Sequence, residues 1–280
     1  MSKEQILPIG TMVRLTQFDA ARLEFLHNAG MDCCQLCGIT NDYMSGADGK
    51  KKTEILAASL AENHLAVPTI FFSFPDQKWT PEECGITPEQ HRARRLLYAA
   101  RQILWAKPFG VQYCACHAGH FPAFDTPAYE KWVSDLREFC RFAEDNGMYF
   151  VFETGPEPVE TLKRCIADLN APNAGINFDP ANLLLYNQTE PKAFLDQLGS
   201  AVRSVHCKDG RRPVDGAAMG KETPLGKGDT RFVERMKQLF AIGFRGPLII
   251  EREILPGPEQ DADILSAVKL LKELRGTLSA

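Results

Sequence analysis

The 280-residue sequence contains no apolar run of the roughly 18 residues that a membrane-spanning helix requires. Its first residues, MSKEQILP, also lack the charged-then-apolar pattern of a signal peptide. No low-complexity tract or internal repeat stands out. These absences predict a cytoplasmic protein with no membrane partner.

An excess of one charge is also missing. Lys and Arg number 32 against 36 Asp and Glu, so the formal net charge is only -4. This balance provides no strong overall attraction for nucleic acid, although the net charge does not describe a local basic patch. We therefore expect no nucleic-acid partner.

The nine cysteines lack the paired spacing of a structural zinc site. Cys34 and Cys37 form one C-x-x-C, but no second pair follows it. Several other cysteines lie inside apolar strand or helix patterns, where reduced cysteine serves as a small core residue. This usage indicates a reducing compartment.

Eight apolar segments of strand length are present, and segments with helical spacing of apolar residues follow them. The predicted strands are 7–15, 33–39, 67–74, 111–116, 148–153, 174–179, 202–206 and 247–251. No linker interrupts the alternation, so residues 1–280 are predicted to form one domain. The pattern is typical of a single (β/α)8 TIM barrel in the α/β class. A doubly wound open sheet is the alternative, but no glycine-rich phosphate turn follows the first strand.

Two loops interrupt this regular pattern. The first follows the third strand and passes through Trp79 and Pro81, and its length suits a lid over the barrel mouth. The second, 209–228, is rich in glycine and charged residues. Both are predicted to lack regular secondary structure.

Four predicted strands end on a side chain that can bind a metal. These residues are Glu153, Asp179, His206 and Glu251. Because the carboxyl ends of parallel strands meet at one mouth of a barrel, we expect the four side chains to converge. Each one alone could be a solvated loop residue, but three carboxylates packed together without a cation would have raised pKa values. The sequence therefore predicts one divalent metal ion of the Mn, Mg, Co or Zn kind.

Three further residues are candidates for substrate binding. Lys208 shares the inward parity of His206, so it could bind a substrate oxygen or phosphate, or be an exposed lysine in a loop. His117 ends the fourth strand and could face the site or be a core or capping histidine. Asn182, three residues after Asp179, could bind a sugar hydroxyl or cap the following helix.

Six segments together resemble the xylose isomerase-like TIM barrels, a family of sugar phosphate isomerases and epimerases that shares a superfamily with endonuclease IV. The segments are HAGHFP, FETGPEP, NFDPANLLLYN, SVHCKDGRRP, PLGKGD and LIIEREI. The likeness covers nearly the whole chain and is most specific from Gln112 onward. In that family the residues that end strands five to eight bind one divalent metal. Carried over to this chain, they are Glu153, Asp179, His206 and Glu251.

The resemblance implies a metal-dependent isomerase or epimerase of a sugar or sugar phosphate. In the ketose 3-epimerases of the family two glutamates, here Glu153 and Glu251, act as the acid/base pair on opposite faces of the substrate carbon. A metal that binds the carbonyl and a neighbouring hydroxyl stabilises the enediolate that forms. Proton return to the same carbon gives epimerisation, and return to the other carbon gives aldose-ketose isomerisation. Loss of a hydroxyl or glycosyl group would instead make the protein a lyase or dehydratase of an inosose or 3-keto-glycoside.

Departures from the relatives bear on this interpretation. Endonuclease IV proteins need further histidines for three zinc ions, yet Asn182 occupies one of those positions and PLGKGD lacks the expected Asp-x-His pair. DNA repair is therefore not expected. Some isomerase relatives carry a glutamate at the end of strand two, where this chain has Gln35. Relatives are often dimers or tetramers, so the resemblance leaves a homo-oligomer open.

Overall fold

Eight parallel strands close on themselves into a barrel, which confirms the predicted (β/α)8 fold. The computed structural model describes residues 6–80, 83–214 and 216–279. The strands are β1 (Ile9–Arg14), β2 (Cys33–Cys37), β3 (Ala66–Phe71), β4 (Tyr113–His117), β5 (Tyr149–Glu153), β6 (Ala174–Phe178), β7 (Val202–Cys207), β8 (Asp209–Arg211), β9 (Lys221–Thr223) and β10 (Leu248–Ile250). All but β8 and β9 belong to the barrel, and pairing of β10 with β1 completes the closure.

Helices surround the barrel and connect its strands. They are α1 (Ala20–Asn28), α2 (Asn41–Met44), α3 (Gly46–Glu62), α4 (Glu89–Ala106), α5 (Pro127–Asp145), α6 (Val159–Leu169), α7 (Pro180–Leu185), α8 (Pro191–Leu198), α9 (Phe232–Ala241) and α10 (Pro258–Ser279). Local sequence explains several starts: Asp19 accepts a hydrogen bond from the N–H of Ala21 at the start of α1, and Thr126 caps α5, whose first residue is Pro127. Among the described residues, no helix is long and apolar enough to cross a membrane.

Strand alternation in β5 directs two phenylalanines outward and Glu153 inward. In β5, Phe150 and Phe152 pack outside the barrel, where the ring of Phe152 lies 6.2 Å from that of Trp132 in α5. Val151 belongs to a separate small apolar cluster in the barrel interior. Since side chains alternate along a strand, Glu153 shares the inward parity of Val151. Packing of the outward residues thus fixes the direction of the glutamate.

One prediction about local structure is wrong. The 209–228 loop contains regular structure, because β8 and β9 pair there as an antiparallel hairpin. The short helix α7, which begins at Pro180 directly after Asp179, was not among the predicted bounds. Aspartate before proline is typical of such a helix start.

Some expectations fall partly outside the described residues. The first five residues, to which the signal-peptide argument applies, are among these, and so is Pro81 in the predicted lid. Trp79 in the same loop is described. All nine cysteines are free thiols and all except Cys84 are buried, which agrees with their interpretation as core residues.

Candidate active site

The carboxyl ends of four neighbouring barrel strands bring the predicted metal ligands together. These side chains are Glu153, Asp179, His206 and Glu251. One ligand atom from each lies within 4.8 Å of the other three, and among the described residues no other group of His, Cys, Asp and Glu has this geometry. The strand order is β5, β6, β7, β10, so the two glutamates flank the aspartate and the histidine.

The two carboxylate oxygens of Asp179 have different surroundings. Oδ1 accepts hydrogen bonds from the N–H groups of Ala181 and Asn182 at 2.8 and 3.1 Å, and so caps α7. Oδ2 is buried and makes no hydrogen bond with any described residue. Burial raises the pKa of Asp179 well above its usual value, with the charges of Glu251 and Glu153 adding to the effect and that of Lys208 opposing it. The helix cap therefore fixes the carboxylate and leaves one oxygen available to a cation.

His206 is oriented by a buried amide. Its Nε2 lies 2.9 Å from Oε1 of Gln35, whose Nε2 donates to Oγ1 of Thr69 at 3.0 Å. This second bond directs the carbonyl end of the amide toward the imidazole, so Nε2 of His206 is the donor. Nδ1 then faces Oε1 of Glu153 at 2.8 Å and Oε2 of Glu251 at 3.1 Å. Nδ1 is thus the nitrogen presented to the carboxylate cluster.

The two glutamates also favour the protonated form of His206. Burial lowers the pKa of this imidazole, but the charges of Glu251 and Glu153 outweigh burial and raise the pKa well above its usual value. The proton on Nδ1 and a divalent cation would both lie between the same carboxylates. Cation binding at the cluster therefore requires the loss of this proton.

Lys208 lies among the carboxylates and is only 3% exposed. Its Nζ is 3.3 Å from Oε2 of Glu251 and 3.7 Å from Oδ2 of Asp179, and it also contacts Glu253. Burial raises the pKa of Glu251, but Lys208 and then His206 outweigh it and hold that pKa below its usual range. The parity of the strand had predicted an inward Lys208, and the structure places it at the cluster rather than in an exposed loop.

His117 and Asn182 also lie next to the cluster. His117 is the register partner of Glu153, and its Nε2 is 3.1 Å from Oε2 of that glutamate. The imidazole is 22% exposed and has the ring of Trp79 at 5.4 Å. Asn182 donates from Nδ2 to the carbonyl of Thr154 at 3.0 Å and accepts from Lys208. The capping role considered for Asn182 is wrong, because Asp179 caps α7 and the N-cap of α8 is Glu190.

The buried oxygens of the cluster show that its residues fit a metal ion. Oε2 of Glu153 and Oδ2 of Asp179 are both buried without a hydrogen bond among the described residues, although His117 and Lys208 lie 3.1 and 3.7 Å from them. A buried carboxylate oxygen without a hydrogen bond is costly, and a bound cation would lower this cost. Three carboxylates and one imidazole suit Mg, Mn, Co or Zn. The cluster could therefore bind one divalent metal.

Sequence reasoning missed the function of some neighbouring residues. Gln35 was noted only as the residue that replaces a glutamate of some relatives, because its partner His206 lies 171 residues away along the chain. Arg252, the residue after Glu251, pairs with Glu222 at 2.7 Å and with Asp263 at 2.8 Å. No sequence signal pointed to the contact of Glu253 with Lys208.

Comparisons with known proteins agree with this architecture. A family model described as a xylose isomerase-like TIM barrel matches residues 23–274. A xylose isomerase domain protein from Planctomyces limnophilus is 30% identical, with a TM-score of 0.89 over 98% of this chain and 99% of that one. A xylose isomerase-like TIM barrel protein from Mycobacterium smegmatis, solved in complex with magnesium, is 17% identical, with a TM-score of 0.77 over 98% of both chains.

Weaker similarities extend to other proteins. An uncharacterised protein from Methanocaldococcus jannaschii is 25% identical over 161 residues, which is 53% of this chain and 53% of that protein. The match thus spans about half the length of this curated relative. Further solved barrels, all 20% identical or less, include sugar 3-epimerases or epimerase-like proteins and a probable dehydratase. At such identity they share the fold with this chain.

Proposed function

Since this chain belongs to the xylose isomerase-like TIM barrel family, we propose that it is a divalent-metal-dependent isomerase or epimerase of a sugar or sugar phosphate. The observation that carries the proposal is the arrangement of two glutamates on either side of an aspartate and a histidine, with two buried carboxylate oxygens that accept no hydrogen bond from any described residue. Two sugar 3-epimerases and a 3-epimerase-like protein among the solved neighbours support the choice of reaction.

The residues that would hold the metal are the four at the strand ends: Glu153, Asp179, His206 and Glu251. A divalent cation bound there would polarise a ketose carbonyl and acidify the neighbouring C–H. The helix cap on Asp179 and the Gln35 amide on His206 hold two of the four ligands in place before any substrate arrives. Such preorganisation reduces the rearrangement needed on binding.

Proton transfer is assigned to Glu153 and Glu251. One glutamate removes the proton from the carbon beside the carbonyl, and the other donates a proton to the opposite face, which inverts that carbon. The position of the two glutamates at the outer ends of the four-strand set is what such a two-sided transfer requires. Lys208 lies 3.3 Å from Oε2 of Glu251 and favours the ionised form of this carboxylate, which is the form that can accept a proton.

We assign Lys208, His117 and Asn182 to the binding of substrate oxygen atoms. Nζ of Lys208 lies 3.3 Å from Glu251 and 3.4 Å from Oδ1 of Asn182, so it can donate to an oxygen held next to the base. His117 lies on the other side, beside Glu153, where its half-buried ring can bind a hydroxyl group. These contacts would orient the reacting carbon between the two glutamates.

A lyase or dehydratase of a keto-sugar is the second candidate. It is favoured by the position of His117, whose side chain is 22% exposed and could protonate a departing hydroxyl or glycosyl oxygen while Glu153 acts as the base. The same barrel in a probable dehydratase supports this alternative. Elimination and epimerisation begin with the same proton removal, so proton exchange alone does not separate them. Analysis of the products does.

The test is proton NMR of the metal-loaded protein in deuterated water with ketoses, ketose phosphates and keto-glycosides. We expect deuterium at the carbon beside the carbonyl together with an epimer or aldose; an eliminated product would favour the lyase. Glu153→Gln and Glu251→Gln should each abolish exchange. Glu253→Gln is the matched control, since Glu253 contacts Lys208 from the rim and its side chain is 61% exposed. Continued exchange in Glu251→Gln would refute the acid/base assignment.

A further inference from the structure

A cavity of about 580 Å³ opens beside the candidate metal cluster. The loops after β3, β4 and β5 form its walls, and His117 belongs both to this cavity and to the surroundings of the cluster. We call it the aromatic cavity. A volume of this size accommodates a drug-sized molecule. A monosaccharide held at the cluster alone would leave it unfilled.

The lining of the aromatic cavity favours a flat apolar group. Trp79 and Tyr186 line the cavity and are 72% and 37% exposed, while Phe121 and Phe124 form part of the wall. Large, rigid aromatic faces left exposed around a cavity are typical of ligand contacts. No Lys or Arg is among the described residues that line it. A phosphate group therefore has no countercharge here.

One buried carboxylate in this lining has an oxygen without a hydrogen bond. Glu157 is 8% exposed, and its Oε2 makes no hydrogen bond with any described residue. Buried carboxyl oxygens ordinarily have a partner. A hydroxyl group on a ligand in the aromatic cavity would supply one. The cavity thus has an apolar surface and one polar position.

Main-chain contacts hold the walls of the cavity in place. The N–H groups of Ile86 and Thr87 both donate to the carbonyl of Ala118 at 3.0 Å. A Cβ at Gly119 would lie 2.1 Å from the carbonyl oxygen of Cys84, so the two loops touch backbone to backbone. The cavity is therefore formed in the absence of a ligand, which lowers the cost of filling it.

We propose that the aromatic cavity binds a hydroxylated aromatic substituent of a sugar conjugate whose sugar end reaches the metal cluster. The substrate is then an aryl glycoside or a related keto-sugar conjugate rather than a free ketose or sugar phosphate. The inference rests on the proposed function for the sugar end. The aromatic subsite itself is defined by the cavity and can be tested by binding alone.

Isothermal titration calorimetry of the magnesium-loaded protein tests the subsite without turnover. The probes are 4-hydroxyphenyl β-D-glucopyranoside, methyl β-D-glucopyranoside and glucose 6-phosphate. Partial burial of the ring should make the aryl glucoside bind about tenfold tighter than the methyl glucoside. Trp79→Ala should remove this preference and Trp79→Phe should keep most of it. Leu255→Ala is the matched control, because Leu255 is 89% exposed and does not line the cavity.

Failure of the subsite and failure of the proposed function give different results. Three results would overturn the aromatic subsite: equal affinities for the aryl and methyl glucosides, no binding of the aryl glucoside, or an aryl preference that survives Trp79→Ala. They would do so even if metal-dependent exchange occurred with free ketoses. An aryl preference that depends on Trp79 would support it, even if no proton exchange were found. Unchanged magnesium affinity in Trp79→Ala shows that the variant is folded.

Discussion

Replacement of Gln35 by leucine tests how the cluster is held together. The amide of Gln35 accepts from Nε2 of His206 at 2.9 Å, and both residues are fully buried. Leucine has a similar volume but no acceptor, so the N–H of the imidazole would be buried without a partner, at a cost of about 1–3 kcal/mol. The ring would also lose the contact that presents Nδ1 to the cluster. We expect divalent metal affinity to fall about 10–100-fold.

Calorimetric titration with Mn²⁺ or Mg²⁺ measures this effect, and NMR of the imidazole nitrogens of His206 reports which one carries the proton. Ser204→Ala is the matched control, because Ser204 is also fully buried and donates to Asn177 at 2.6 Å without touching a ligand. It should lose comparable stability and keep its metal affinity. Unchanged metal binding in Gln35→Leu, or an equal loss in Ser204→Ala, would refute the orienting function of Gln35.

Three other predictions concern pH, loop structure and metal. Burial raises the pKa of Glu157 to about 7. As pH rises from about 4.5 to above 7, the wild type should therefore lose on the order of 3 kcal/mol of unfolding free energy relative to Glu157→Gln. Urea denaturation measures this difference, and the same pH dependence of unfolding free energy in both proteins would contradict the prediction. The Asp209 carboxylate accepts four hydrogen bonds from the segment 210–230, and Asp209→Ala should cost about 3 kcal/mol in urea denaturation because these donors lose their acceptor. A loss below about 1 kcal/mol would show that water replaces it. Divalent metal at a hundred times its dissociation constant should add about 2.7 kcal/mol to the unfolding free energy, which raises the melting temperature. Asp179→Asn should not show this rise. A wild type whose melting temperature does not change with metal would exclude a metal site.

Local sequence was sufficient to predict the barrel and the candidate ligands. Strand period and the residue that ends each strand are local properties, so Glu153 and His206 could be recognised from the alternation around them. The same reasoning gave the inward direction of Lys208. It did not give the helix α7 at Pro180, where one signal fits both the end of a strand and the start of a helix.

The sequence by itself determined the fold class, the order of the eight barrel strands, and the residues carried at the strand ends. These follow from periods of two and 3.6 residues along the chain. Only the tertiary structure decided that Gln35 orients His206, that Asp179 divides its oxygens between a helix cap and the cluster, and that an aromatic cavity adjoins the site. These features depend on contacts between segments far apart in the chain, whose distances are set by barrel closure and loop packing rather than by any local pattern.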